Sequence, residues 1–142
     1  MKINKKMARI LAIDYGTKRV GLAVTDPLQI IASSLTTVHS KDVIQYLKDY
    51  TAKEEVSCFV VGKPTRHNGD DTDATPHIEK FISLLVKNFP TMRIERADER
   101  FTSVMARRTL TEMGLKKKDR EKKENVEQVS AVIILQTYMT ML

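Results

Sequence analysis

Apolar positions along the chain change period several times, and the changes mark its elements. Residues 10–13 are an unbroken apolar run closed by Asp14, and residues 20–24 repeat the pattern after a short polar turn. Runs of this kind predict strands, the first of them buried on both faces. Asp26 and Pro27 predict the next turn, and the β-branched residues within 30–38 predict a third strand. The period then becomes helical. Val43, Ile44, Leu47 and Tyr50 share one face, with Ser40 as the expected N-cap. Residues 56–62 predict a short buried strand, and residues 62–73 a polar loop dense in turn formers. Ile78, Phe81, Ile82 and Leu85 predict a helix ended by Pro90. Residues 92–97 predict a strand with mixed faces that leads into Asp98, Glu99 and Arg100. Thr102 or Ser103 can cap a helix running to Met113, with Gly114 as its stop. A last helix over residues 126–138 is apolar on a wide face.

This order predicts an α/β protein. The first three strands form an antiparallel meander, and the later ones return through helical crossovers, which make parallel pairings and are right-handed. The expected architecture is a mixed five-stranded sheet flanked by helices. There is no internal repeat or linker, so residues 1–142 are expected to form a single domain with a real hydrophobic core.

Composition narrows the function classes. Hydrophobic residues make up 42% and charged residues 30% of the chain, as in a water-soluble globular protein. No apolar run approaches the roughly 20 residues needed to span a bilayer, so no membrane partner is expected. The basic start leads directly into a strand, and Arg9 and Asp14 interrupt any secretory core. Cys58 is the single cysteine, set in an apolar run as a small buried hydrophobe. No disulfide can close within the chain, which suits the cytosol. A net charge of +6 favours anionic partners, nucleic acid first. Residues 116–123 concentrate that charge, with six basic residues and two acidic ones.

Three acidic positions fall where such a sheet can bring them together. Asp14 ends the first strand, Asp98 and Glu99 end the last, and Glu127 sits in the first turn of the final helix. If the outer two strands run parallel to the strand at 56–62, their C-terminal ends share one edge, where open α/β sheets place their sites. Glu127 shares a stripe with Ser130, Ala131 and Ile134, whose small members allow close approach to the sheet. Clustered carboxylates suit a hard divalent cation such as Mg²⁺. Two such ions about 4 Å apart can activate water and stabilise the leaving oxygen of a phosphodiester. Gly16 lets the backbone approach a ligand, and Lys18 and Arg19 add positive charge beside the acid. Each part also has a plainer reading: a solvated turn at residues 98–100, a dipole-stabilised helix start at Glu127, a solvated connector at 116–123. Asp26, Asp70, Asp71 and Asp73 read as turn residues. His39, His67 and His77 lack metal-ligand spacing and read as loop or capping residues.

Four motifs together resemble the YqgF family. They are residues 14–21, Val61-Gly62-Lys63-Pro64 with Gly69, residues 98–103, and residues 130–136. The match runs from about Ala8 to Tyr138 in the family's order. These are bacterial proteins described as candidate pre-16S rRNA nucleases or as Holliday junction resolvase-like. The resemblance implies a ribonuclease H-like fold and a nuclease domain. It implies Asp14, an acid of the Asp98–Glu99 pair (Glu99 as first choice) and Glu127 as the catalytic, metal-binding set for Mg²⁺ or Mn²⁺. Lys18, Arg19, Arg100, Lys116, Lys117, Lys118 and Arg120 then contact substrate phosphates. The chain departs from the family pattern at two places. Glu127 stands where the family usually has Asp, and a metal displaced by an ångström can cost about 100-fold in rate. The loop after Gly62 begins Lys63-Pro64 rather than with the family's more apolar start.

The function this implies is metal-dependent endonucleolytic cleavage of structured RNA, in 5′-end maturation of 16S rRNA. Two alternatives stand beside it: cleavage of branched DNA, which requires a dimer, and metal-free RNA binding in ribosome assembly. No dimer face stands out in the sequence, and a monomer or weak dimer is expected.

Overall fold

The computed structural model describes residues 8–63, 75–98 and 123–142, with side chains in the last helix from residue 128 onward. The elements in chain order are β1 (Arg9–Tyr15), β2 (Arg19–Thr25), β3 (Ala32–His39), α1 (Val43–Lys53), β4 (Val56–Lys63), α2 (Thr75–Asn88), β5 (Arg93–Asp98) and α3 (Lys123–Met139). The five strands form one sheet in the order β3-β2-β1-β4-β5. β1 is antiparallel to β2 and parallel to β4, β2 is antiparallel to β3, and β4 is parallel to β5. This is the expected meander followed by parallel strands.

The two faces of the sheet differ in thickness. Leu11, Ile13, Val20, Leu22, Phe59 and Val61 point to one face and pack with Val43 and Leu47 of α1 and Ile78, Phe81 and Leu85 of α2. Ile10, Ala12, Ala23, Cys58, Val60 and Ala97 point to the other and pack with Ala131, Ile134, Leu135 and Tyr138 of α3. The first face is built from branched and aromatic residues, the second largely from alanine and other small ones. A helix over small side chains lies closer to the strands beneath it, and Ser130 and Ala131 of α3 are themselves small and buried. Cys58 is fully buried, as its apolar run implies. Arg93 donates to the Tyr138 hydroxyl at 3.0 Å and so anchors the C-terminal part of α3 to β5. Burial pushes the Tyr138 phenol above its usual value.

Two local expectations are corrected. Residues 30 and 31 are not strand: the Asp26 carboxylate accepts the N–H groups of Leu28 (3.0 Å), Ile30 (2.8 Å) and Ile31 (2.7 Å), folding them into the β2–β3 turn. Gln29 takes a left-handed φ of 60° there, held by an amide bond to the Ala8 carbonyl at 3.0 Å. Ser40 does not cap α1. Its hydroxyl donates to the Thr17 carbonyl at 2.6 Å, and the N-cap position falls to Asp42. Gly16 packs tightly on its own turn, where a Cβ would lie 2.5 Å from the Arg19 carbonyl oxygen. The expected 62–73 loop, from residue 64, and the expected 102–113 helix lie outside the described residues. Among the described residues no helix is long and apolar enough to cross a membrane.

Two outcomes follow from these turns. Gly16→Ala forces the β1–β2 turn apart and lowers stability by about 1–3 kcal/mol in urea unfolding. The Ile31 N–H first, and then those of Ile30 and Leu28, hold the Asp26 carboxyl below the usual carboxylate range. A carboxylate with a depressed folded pKa stabilises the fold above its unfolded pKa and loses that contribution as pH falls through the folded one. Melting temperature followed below pH 5 therefore falls for the native chain, while Asp26→Asn melts lower at neutral pH and shows a flatter acid limb.

Candidate functional site

Asp14 ends the central strand, and its direction is fixed by its neighbours. Ala12 packs beneath α3, whereas Ile13 packs on the α1/α2 face. Tyr15 stacks on Phe81 of α2 with ring centroids 4.3 Å apart. Side chains alternate along a strand, so Asp14 belongs to the α3 face. It is half-buried there. Its register partner on β2 is Gly21, and Gly21 in turn opposes Thr37 of β3. On the other side Ile13 pairs with Val61, which brings the next residue, Gly62, level with Asp14. Gly62 pairs with Ala97. The carboxylate thus stands in a row with a glycine on either side, and the row ends in Ala97 and Thr37. The adjacent strands thus place no side chain level with it on either side.

The positive charge beside it is built into the turn. Ser40 ties the end of β3 to the β1–β2 connection twice, through its hydroxyl to Thr17 and through its N–H to the Lys18 carbonyl at 3.0 Å. Lys18 is exposed, whereas Arg19 is half-buried with its Nε sealed from solvent. Arg19 pairs with His39 across the β2–β3 ladder. His39 Nδ1 accepts the Lys41 N–H at 3.1 Å, the capping role expected of it.

The other expected site residues divide. Asp98 is the last residue of β5, level with Lys63. Ala97 packs beneath α3, while Ile94 packs on the α1/α2 face and Arg96 binds Glu79 of α2 at 3.0 Å. The alternation therefore assigns Asp98 to the face opposite Asp14. Position 127 lies in α3, one turn before the buried Ala131, with its side chain outside the described residues. Glu99, Arg100, Lys116, Lys117, Lys118 and Arg120 also lie outside them. Among the described residues no three His, Cys, Asp or Glu side chains cluster as metal ligands. Asp14 is the expected ligand that lies among the described side chains, and its carboxylate oxygens are donors that suit a hard cation such as Mg²⁺ or Mn²⁺.

The structure adds residues that were not singled out. Thr37 and Gln128 line a groove with Arg19 and His39 on the α3 side of the sheet. Strand alternation in residues 32–39 hinted at Thr37, but only the pairing of β3 with β2 brings it level with Asp14.

Comparison with known proteins agrees with this geometry. The family described as RuvX: Holliday junction resolvase matches residues 8–141. A protein of Flavobacterium psychrophilum named “Putative pre-16S rRNA nuclease” is 53% identical over 134 residues, covering 94% of this chain and 98% of the relative. One of the same name from Amoebophilus asiaticus is 54% identical over 134 residues, covering 94% of this chain and 95% of the relative. Among solved structures, T. thermophilus RuvC in complex with a Holliday junction substrate is similar with a TM-score of 0.55 at 10% identity, covering 94% of this chain and 96% of that one. That likeness shows a shared fold, the ribonuclease H-like architecture expected above. The chain belongs to the RuvX family of Holliday junction resolvase-like proteins.

Proposed function

We propose that this protein is a metal-dependent endonuclease of structured RNA that acts in maturation of the 5′ end of 16S rRNA in the cytoplasm. The observation that carries the reading is the row Gly62–Asp14–Gly21, a carboxylate at the C-terminal edge of a central strand with a glycine on either side. The substrate comes from the relatives named for pre-16S rRNA, which match this chain over nearly their whole length.

Asp14, Glu99 and Glu127 form the metal-holding set in this reading. The alternation of β5, with Arg93 on Tyr138 and Ala97 beneath α3, supports Glu99 over Asp98. The stripe Ala131, Ile134 and Tyr138 of α3, extended by one helical turn, supports Glu127. Mg²⁺ or Mn²⁺ bound there supplies an activated water and a counter-charge for the leaving oxygen. The chain's own part is to hold the phosphodiester. Lys18 and Arg19 present positive charge from a turn clamped by Ser40, and the phosphates find Arg100, Lys116, Lys117, Lys118 and Arg120 along the same strand of RNA. Branched DNA is the second substrate reading, and the family description favours it. Such a substrate calls for two sites related by symmetry.

Two measurements decide. Asp14→Asn, with the charge removed and the shape kept, loses cleavage of a precursor rRNA fragment by more than about 100-fold while unfolding as the native chain does. Equal activity would remove the assignment, and faster cleavage of a four-way junction than of the rRNA fragment would move it to DNA. Replacing Lys116, Lys117 and Lys118 by Ala lowers the slope of log affinity against log salt by about 2–3, since each phosphate contact contributes roughly 0.7–0.9. An unchanged slope would show that this segment does not touch the backbone.

A further inference from the structure

The α3 side of β2 and β3 carries a groove that the proposed metal site does not use. It has a volume of about 310 Å³ and is lined by Arg19, Thr36, Thr37, Val38, His39 and Gln128. Because Asp14 opposes Gly21 and Gly21 opposes Thr37, the groove begins two strands from the carboxylate. Two strand spacings are about 10 Å. Only a glycine stands in the row between them, so one ligand can lie across both.

The lining is not that of a simple anion channel. Arg19 contributes one permanent cation at the end nearest the β1–β2 turn. Thr37 and Gln128 contribute a hydroxyl and an amide, each of which can donate and accept. His39 has Nδ1 committed to accepting the Lys41 N–H. The two Ser40 bonds hold the Arg19 and His39 ends of their strands in one arrangement. A cation beside groups that both donate and accept matches a ligand made of an anion beside a hydroxyl. A ribose–phosphate unit has that form, and deoxyribose lacks the hydroxyl.

We infer that this groove seats one ribose–phosphate unit of the substrate strand, about 10 Å from the bond cleaved at Asp14. Arg19 contacts the phosphate, and Thr37 and Gln128 contact the 2′-hydroxyl. The groove thereby selects RNA over DNA. The inference rests on Asp14 being the cleavage site, and it concerns a different part of the surface.

The test is a scan of single 2′-deoxy substitutions through a labelled precursor rRNA fragment. Binding to the full chain is measured with Ca²⁺ in place of Mg²⁺. One position weakens binding to the native chain by about tenfold, the size of one hydrogen bond in a partly wet groove. In Thr37→Val, which keeps the β-branched shape, the same deoxy position changes binding by less than about twofold, and Gln128→Met behaves alike. Uniform binding along the scan would overturn the inference, as would a full deoxy effect retained in both variants. Because the readout is binding, a native chain that binds with this pattern but cleaves nothing would remove the nuclease reading and leave the groove assigned.

Discussion

Everything in this fold hangs on the register of β1. That strand is hydrogen-bonded on both sides, antiparallel to β2 and parallel to β4, and it is buried between two helical layers. A slip of one residue would exchange its faces. Leu11 and Ile13 would then meet the alanine-rich side beneath α3, and Asp14 would be driven toward Phe81. Burying a carboxylate among leucine and phenylalanine without a partner is among the costliest errors a fold can make. The Tyr15–Phe81 stack works in the same direction, because it places the residue after Asp14 on the thick face. Asp14 is aimed by the packing of residues that have no part in chemistry.

The unequal faces give that aim its use. On the α1/α2 side, branched and aromatic residues fill the space between layers, and a ligand would find none. On the α3 side, Ala12, Ala23, Ala97 and the glycines at 21 and 62 make a shallow floor. The same pattern of small residues that lets α3 lie close to the sheet lower down continues as a glycine on either side of the carboxylate at the edge. Packing and site are two ends of one pattern of side-chain size.

Much of this was legible in the sequence because it depends on local periodicity. The apolar runs before Asp14 and after Arg19, the helical spacing of Leu47 and Leu85, and the burial of Cys58 all follow from residue type and position. Features that depend on distant partners were not legible. Ser40 looks like a helix cap until the β1–β2 turn places the Thr17 carbonyl within 2.6 Å of its hydroxyl. Ile30 and Ile31 look like strand until the Asp26 carboxylate gathers their N–H groups. The face that Asp98 takes depends on the phase of β5, which is set by the burial of Ala97 beneath a helix far along the chain. The groove at Thr37 needs three elements at once, so no single stretch announces it.

The bond between Arg93 and Tyr138 has a mechanical meaning. It fastens α3 near its C-terminal end, and position 127 lies eleven residues back along the same rigid rod. At 1.5 Å per residue that is about 16 Å of helix, pivoting over a floor of alanines. A tilt of only a few degrees at the fastened end becomes a displacement of about an ångström at the other. The placement of position 127 over the sheet is therefore sensitive to a phenol and a guanidinium about 16 Å away along the helix.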